Sequence, residues 1–90
     1  MATLKIPSPL RSYTAGQAEI HVQGENVGAA LDDLVTQFPP LRQHLFSSKG
    51  ELRPFVNLYL NQEDIRHLQG TDTPLRAEDK LMIIPSIAGG

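Results

Sequence analysis

The stretch FVNLYLNQED, residues 55–64, has the clearest strand pattern in the chain and decides the fold class. Val56, Leu58 and Leu60 alternate with polar or aromatic residues, so one face of a strand here is apolar. The Asn-Gln-Glu-Asp segment that follows is typical of a turn. We therefore predict a half-buried strand that ends in a turn, with a short edge strand at residues 65–68.

Two further strands precede this stretch and one follows it. Residues 3–6 and 19–23 alternate between apolar and polar side chains, and the segment LRSYTAGQ between them suits a hairpin loop. Residues 80–84 predict the last strand, which Pro85 ends. The first and the last strand are the candidates for the centre of the sheet.

A single main helix interrupts these strands. Apolar residues recur at helical spacing from Val27 to Phe38, and Asn26 is suited to cap the first turn. A Pro-Pro pair ends the helix, and Leu41 and Leu45 indicate one more short helical turn. This order of elements predicts an α+β fold, in which the main helix packs across one face of a mixed sheet in a ubiquitin-like roll.

The apolar faces of these elements define a predicted core. A chain of this length buries only about 60–65% of its unfolded surface, so the core is small. We expect residues 1–85 to form one domain and residues 86–90 to form a flexible Gly-Gly tail. The predicted core residues are Leu4, Ile6, Ile20, Val22, Leu31, Leu34, Val35, Val56, Leu58, Leu81 and Ile83.

Composition argues against several classes of partner. The 8 basic and 10 acidic residues give a net charge of −2, which provides no basic excess for binding nucleic acid. The longest apolar run, residues 81–84, is too short to span a bilayer, and no secretory signal is visible. The chain has no cysteine for a disulfide, a thiolate metal site or a nucleophile. We therefore expect a cytoplasmic protein with no nucleic-acid and no membrane partner.

No catalytic or metal-binding set of residues is apparent in the pattern. The three histidines, at positions 21, 44 and 67, lack the spacing of a helical metal site and are expected to be solvated or locally bonded. The neighbouring acids Asp32–Asp33 and Glu63–Asp64 are expected to be solvated, because hydrolysis needs carboxylates that face each other across a cleft. We expect no metal, no cofactor and no enzyme activity of this chain's own.

The C-terminal segment IIPSIAGG, residues 83–90, is the feature that suggests chemistry. The Gly90 carboxylate is ionised at neutral pH and is a poor electrophile, so an ATP-dependent partner would have to convert it to an acyl adenylate. A sulfur donor could then attack and leave a thiocarboxylate on Gly90. The alternative is that the C-terminal segment has no functional role. The small residues that would pass through a channel on the partner are Ser86, Ile87, Ala88 and Gly89.

Three stretches carry a family resemblance that covers the whole chain: IPSPLRSYTAGQ, FVNLYLNQEDIR and IIPSIAGG. Together they resemble the ubiquitin-like sulfur carriers, the MoaD/ThiS family, and most closely its CysO-type branch. The resemblance implies a β-grasp fold for residues 1–85. It also implies that an enzyme resembling ubiquitin-activating enzymes adenylates and sulfurates Gly90, and that the sulfur passes to an acceptor enzyme.

The CysO-type branch implies a cysteine-synthase-like acceptor with pyridoxal phosphate and a zinc metalloprotease that releases cysteine. ATP, pyridoxal phosphate and zinc would then be bound by the partners and not by this chain. The open alternatives are the small subunit of molybdopterin synthase, whose acceptor is the large subunit, and a ubiquitin-like modifier or plain binding module.

The molybdopterin branch also implies a bulky apolar patch that faces the partner. Its positions correspond to Pro7, Asp64 and Ile84 of this chain, and only Ile84 fits that pattern. Ile84 should point away from Leu81 and Ile83, and it could anchor a partner. An ordinary half-buried strand residue is the alternative.

Overall fold

The sheet of this protein combines three antiparallel strand pairs with one parallel pair. The computed structural model describes residues 2–53 and 56–85. The strand order is β2-β1-β5-β3-β4, in which only β1 and β5 are parallel. This order confirms the central place of the first and last strands and the β-grasp roll. The elements are β1 (Ala2–Lys5), β2 (Glu19–Val22), α1 (Val27–Gln37), α2 (Arg42–Leu45), β3 (Val56–Leu60), β4 (Glu63–Asp64) and β5 (Lys80–Pro85).

Short 3-10 helices occupy much of the connecting chain. The loop between β1 and β2 contains one at Ser8–Tyr13 and then turns through Gly16, whose φ of 79° is easily adopted only by glycine. The others are Pro39–Leu41 before α2, Ile65–His67 after β4, and Gly70–Asp72. The predicted hairpin loop is therefore present but is largely helical.

The core lies between α1 and one face of the sheet. Every predicted core residue is buried, from Leu4 on β1 to Leu31 on α1 and Leu81 on β5. The 3-10 helix before α2 adds Leu41 to the same cluster and α2 adds Leu45, so the short helical turn predicted there is present. The apolar residues that alternate along the strands and those at helical spacing on α1 therefore pack together in one continuous apolar layer.

Two residues determine how β2 leads into α1. The side chain of Asn26 accepts a hydrogen bond from the Ala29 amide at 2.8 Å, which confirms the predicted N-cap. A Cβ atom on Gly24 would lie 2.6 Å from the Ala30 nitrogen, which is closer than real Cβ atoms come. Glycine at position 24 thus allows the helix to start directly beside the end of the strand.

Side chains of α1 close the outer edge of β2. The carbonyl of His21 accepts a hydrogen bond from Nε2 of Gln37 at 3.1 Å, and the amide of Gln23 donates to Asp33 at 3.0 Å. Asp33 also accepts from Gln37 at 3.0 Å, so the two helical side chains support each other. An uncovered strand edge is a template for pairing with another chain. The expectation that Asp33 is merely solvated was wrong, because this contact spans two distant parts of the chain.

Replacement of Asp33 by alanine tests this closure. Asp33→Ala removes two hydrogen bonds, and we expect it to lower the free energy of unfolding by about 0.5–1.5 kcal/mol, since such bonds contribute modestly when exposed. Urea unfolding measures the change. Asp32→Ala, at the exposed neighbouring position, is the matched control and should cost less. Equal losses in the two variants would show that the edge contact does not stabilise the fold.

The predicted edge strand at residues 65–68 was wrong. The turn at Asn61 and Gln62 has only two residues, so Glu63 already pairs with Leu60 and the edge strand is β4. Asp64 then ends the strand, because its side chain accepts from the Arg66 amide at 2.9 Å and caps a 3-10 helix. Asp64 is therefore another acid that is bonded and not merely solvated.

Candidate functional site

The outer face of the sheet, opposite α1, carries exposed apolar residues on β5. Leu81 and Ile83 point into the core, whereas Lys80, Met82 and Ile84 point outward. Met82 is 38% exposed and Ile84 is 39% exposed. Ile84 is therefore accessible, as the alternation predicts, and its role as a partner contact stays a prediction.

Strand pairing extends this exposed area across three strands. Lys5 of β1 and Tyr59 of β3 are both register partners of Met82. An open cavity of about 520 Å³ lies over these residues. We call Lys5, Tyr59, Lys80, Met82 and Ile84 the outer-face patch: an apolar centre with two lysines around it. Met82 and Tyr59 were not singled out from the sequence, although the same alternation that exposes Ile84 also exposes Met82.

The positions compared with the molybdopterin branch do not all meet. Pro7, Met82 and Ile84 line a second groove of about 260 Å³ at one side of the patch. Asp64 lines neither groove, and its carboxylate lies 3.6 Å from Nε of Arg66. It is the register partner of Tyr59 on β4, so it lies at the opposite side of the outer-face patch from Pro7 and Ile84.

A hydrogen-bonded corner holds the end of the outer-face patch at Lys80. Asp79 accepts from the side chain of Asn61 at 2.9 Å and from the Arg76 amide at 2.8 Å. Asn61 in turn accepts from the Lys80 amide at 3.0 Å. These bonds hold a tight turn in which Asn61 and Gln62 both have positive φ, at 49° and 77°. The Arg76 amide and then the Asn61 side chain hold the pKa of Asp79 below its ordinary value.

This corner predicts an acid-sensitive contribution to stability. The folded pKa of Asp79 is depressed, so its stabilising effect is present above about pH 4 and is lost as pH falls through the folded value. We expect Asp79→Asn to reduce the loss of unfolding free energy between about pH 5 and pH 3, as measured by urea titrations. Asp32→Asn controls for the change in net charge. An equal loss of unfolding free energy over this pH range in Asp79→Asn and the wild type would contradict the stabilising role of the Asp79 carboxylate.

The predicted tail lies outside the described residues. The residues concerned are Ser86, Ile87, Ala88, Gly89 and Gly90. Their roles, and the boundary between domain and tail after residue 85, stay predictions. The segment follows directly on β5, which lies between β1 and β3 in the sheet and pairs with β3 as far as Pro85 opposite Val56. The sequence after position 85 thus follows directly on the central strand of the sheet.

The histidines are dispersed. His21 and His67 are exposed, whereas His44 is half-buried with its ring 4.4 Å from the ring of Tyr13. Within residues 2–53 and 56–85, no three His, Cys, Asp or Glu side chains are grouped so that they could hold a metal ion. In the same described ranges, no helix is long and apolar enough to cross a membrane.

Comparison with known proteins gives consistent likenesses over the whole chain. The ThiS family model matches residues 4–90. The sulfur carrier protein CysO of Mycobacterium tuberculosis is 38% identical over 90 residues, which cover 98% of this chain and 97% of the relative.

Two solved structures extend the likeness to three dimensions. A chain in the BexX/CysO complex of Amycolatopsis orientalis superposes with a TM-score of 0.90 at 31% identity, with 100% of both chains covered. The small archaeal modifier protein 1 of Methanosarcina acetivorans superposes with a TM-score of 0.86 at 33% identity, over 99% of this chain and 95% of that one.

Proposed function

Because this chain belongs to the ThiS family, we propose that it is a sulfur carrier whose Gly90 carboxylate is converted to a thiocarboxylate. The observation that carries the proposal is the 38% identity to a sulfur carrier protein CysO over nearly the full length of both chains. The β-grasp domain would present the C-terminal segment, and the chemistry would take place on Gly90 within partner enzymes.

The proposed loading has two steps. An oxygen of the Gly90 carboxylate attacks the α-phosphorus of ATP, and pyrophosphate leaves to give an acyl adenylate. A sulfur nucleophile then attacks the carbonyl carbon, and AMP leaves with the electron pair of the broken C–O bond. The product holds one sulfur in place of one carboxylate oxygen. Activation is needed because the carboxylate is ionised at neutral pH.

The proposed acceptor makes cysteine, as the similarity to CysO suggests. The thiocarboxylate sulfur adds to an aminoacrylate that a cysteine-synthase-like enzyme holds on pyridoxal phosphate. An acyl shift from sulfur to nitrogen leaves cysteine in amide linkage to Gly90, and a zinc metalloprotease hydrolyses that amide. This chain would therefore be a co-substrate and not an enzyme, with ATP, pyridoxal phosphate and zinc on its partners. The large subunit of molybdopterin synthase is the alternative acceptor.

Intact mass spectrometry tests the carrier proposal. The purified chain is incubated with ATP, a sulfur source and a ubiquitin-activating-like enzyme whose activity is shown on a known carrier. We expect the mass increase that replaces one oxygen by sulfur, and we expect it to require ATP. An unchanged mass with the active enzyme would contradict the proposal. Release of cysteine in a mixture with the synthase and the protease would then separate the cysteine route from the molybdopterin route.

The outer-face patch is the proposed contact for the loading enzyme. Ile84→Ser removes an exposed apolar anchor, and we expect the KM for this chain in thiocarboxylate formation to rise by about tenfold. The turnover number should stay unchanged, because position 84 does not carry the reacting atoms. Leu68→Ser, at an apolar residue of equal exposure away from β5, is the matched control. An equal rise of KM in both variants would contradict a specific contact between Ile84 and the loading enzyme.

A second candidate function is protein modification. The likeness to the small archaeal modifier protein 1 supports it, since that protein shares the fold at 33% identity. A modifier would attach through Gly90 to lysines of other proteins. Recovery of isopeptide-linked conjugates by mass spectrometry, with no transfer of sulfur to a small acceptor, would favour this function over the carrier.

A further inference from the structure

A third groove lies on the other side of the sheet from the outer-face patch. It has a volume of about 770 Å³, and its rim includes Pro39, Pro40 and the half-buried ring of Phe46. Arg42 and Arg53 line the same groove. Leu41, which ends the neighbouring 3-10 helix, and Leu45 of α2 are buried in the core, so this groove is on the helix-covered side. We call it the arginine groove.

Among residues 2–53 and 56–85, no acidic side chain pairs with the two arginines, and the ion pair found is that of Arg66 with Asp64. None of the described residues that line the groove is Asp or Glu. Ser47 and Ser48 line the same groove. Ser47 accepts a hydrogen bond from the Lys49 amide at 3.3 Å, so its own O–H is left to donate. The groove therefore presents donors and positive charge without a lining carboxylate.

Arg53 is held in a defined orientation. Its Nε donates to the Gln43 carbonyl at 2.9 Å, and its backbone amide donates to the Leu45 carbonyl at 2.8 Å. With Nε used in this way, the remaining two guanidinium nitrogens form a fork that can donate two parallel hydrogen bonds to one carboxylate. Arg42 is exposed on the same rim and can meet a second anionic group.

We propose that the arginine groove binds an acidic segment of a partner protein, in which carboxylates flank an apolar side chain. The carboxylates would contact Arg53, Arg42 and the serine hydroxyls, and the apolar side chain would rest on Phe46 and the two prolines. Charge complementarity carries this choice, because the groove is cationic in a chain whose net charge is −2. Nucleic acid fits less well, since two lining cations neutralise few phosphates.

This site goes beyond the proposed sulfur chemistry. The groove shares no lining residue with the outer-face patch, and the β-sheet separates the two surfaces. A partner could therefore hold the chain through the arginine groove while another enzyme occupies the outer-face patch. The consequence is a carrier that can stay tethered during loading and delivery.

NMR titration of the whole chain with the blocked peptide EELEE, at about 0.15 M salt, tests the proposal. We expect shifts of the Ser47 and Ser48 amides and of the Arg53 Nε–H signal. The matched peptide QQLQQ should cause none of them. Arg42→Gln, an exposed change that leaves the Arg53 contacts intact, should weaken peptide binding by about tenfold. Arg53→Lys, which keeps the charge and removes the fork, should weaken it similarly.

Lys5→Gln combined with Lys80→Gln is the control, because it removes two cations beside the apolar residues of the outer-face patch. Peptide affinity equal to that of the wild type supports the proposal. Weakening as large as that in the arginine variants would show non-specific attraction and overturn it. Binding of QQLQQ, shifts confined to other surfaces, or no binding would also overturn it. Inorganic phosphate or oligouridylate that binds the groove as tightly as EELEE would reassign it to phosphate groups.

Discussion

Deletion of Gly90 is expected to abolish thiocarboxylate formation and to leave the folded domain intact. The shortened chain still ends in a glycine carboxylate, but that group is drawn back by about 3.3–3.6 Å, the length of one extended residue. Reacting atoms must approach within about 3–3.5 Å, and a displacement of only 1 Å can cost about a hundredfold in rate. We therefore expect at least a hundredfold loss in the intact-mass assay.

One added glycine after position 90 is a second test of the same requirement. It moves the carboxylate outward by one residue, so sulfuration should fail as well. Thermal unfolding should be unchanged in both variants, because the described core belongs to elements that end at β5. Sulfuration of the deletion variant at the wild-type rate would contradict the role of Gly90, whatever the state of the domain.

Leu31→Ala is expected to have the largest effect on stability. Leu31 is 0% exposed in the middle of α1 and belongs to the core cluster that covers the sheet. Truncation of a buried leucine removes apolar contacts and leaves a cavity, which costs about 2–5 kcal/mol. In a domain of this size, we expect the midpoint of thermal unfolding to fall by more than about 10 °C. Differential scanning calorimetry measures it.

Leu68→Ala is the control for chemistry and size, since Leu68 is 39% exposed. Leu68→Ala should lower the midpoint by much less, because an exposed leucine side chain makes few packing contacts that truncation can remove. Similar midpoints in Leu31→Ala and the wild type would contradict the assigned core. A normal fold with reduced sulfuration in Leu31→Ala would also be informative, since it would connect α1 to partner binding.

The inner face of the sheet and the placement of α1 could be read from local patterns. Alternation in strands and helical spacing both report which side chains need burial, and burial of apolar area is the main stabilising term. The N-cap at Asn26 is likewise a local event, because donor and acceptor are three residues apart. Such features depend on neighbours along the chain, so sequence reasoning reached them.

The errors and omissions had two causes: a turn without a sequence signal, and contacts between residues that are distant along the chain. The edge strand was misplaced because Asn61 and Gln62 adopt positive φ without a glycine to signal it. The contact of Asp33 with Gln23 spans ten residues and the contact of Gln37 with His21 spans sixteen. No local pattern encodes such pairs, because they depend on how α1 lies against the edge of β2.

The sequence by itself determined the α+β class, the helix start and the core, because hydrophobic periodicity and capping act over a few residues. It also indicated the family through three stretches, residues 6–17, 55–66 and 83–90, whereas the Gly90 chemistry stays a prediction. Tertiary structure alone placed Met82 between Lys5 and Tyr59, and brought Arg42 and Arg53 into one groove. Surfaces of this kind depend on strand register and on packing between elements, so they exist only once the chain has folded.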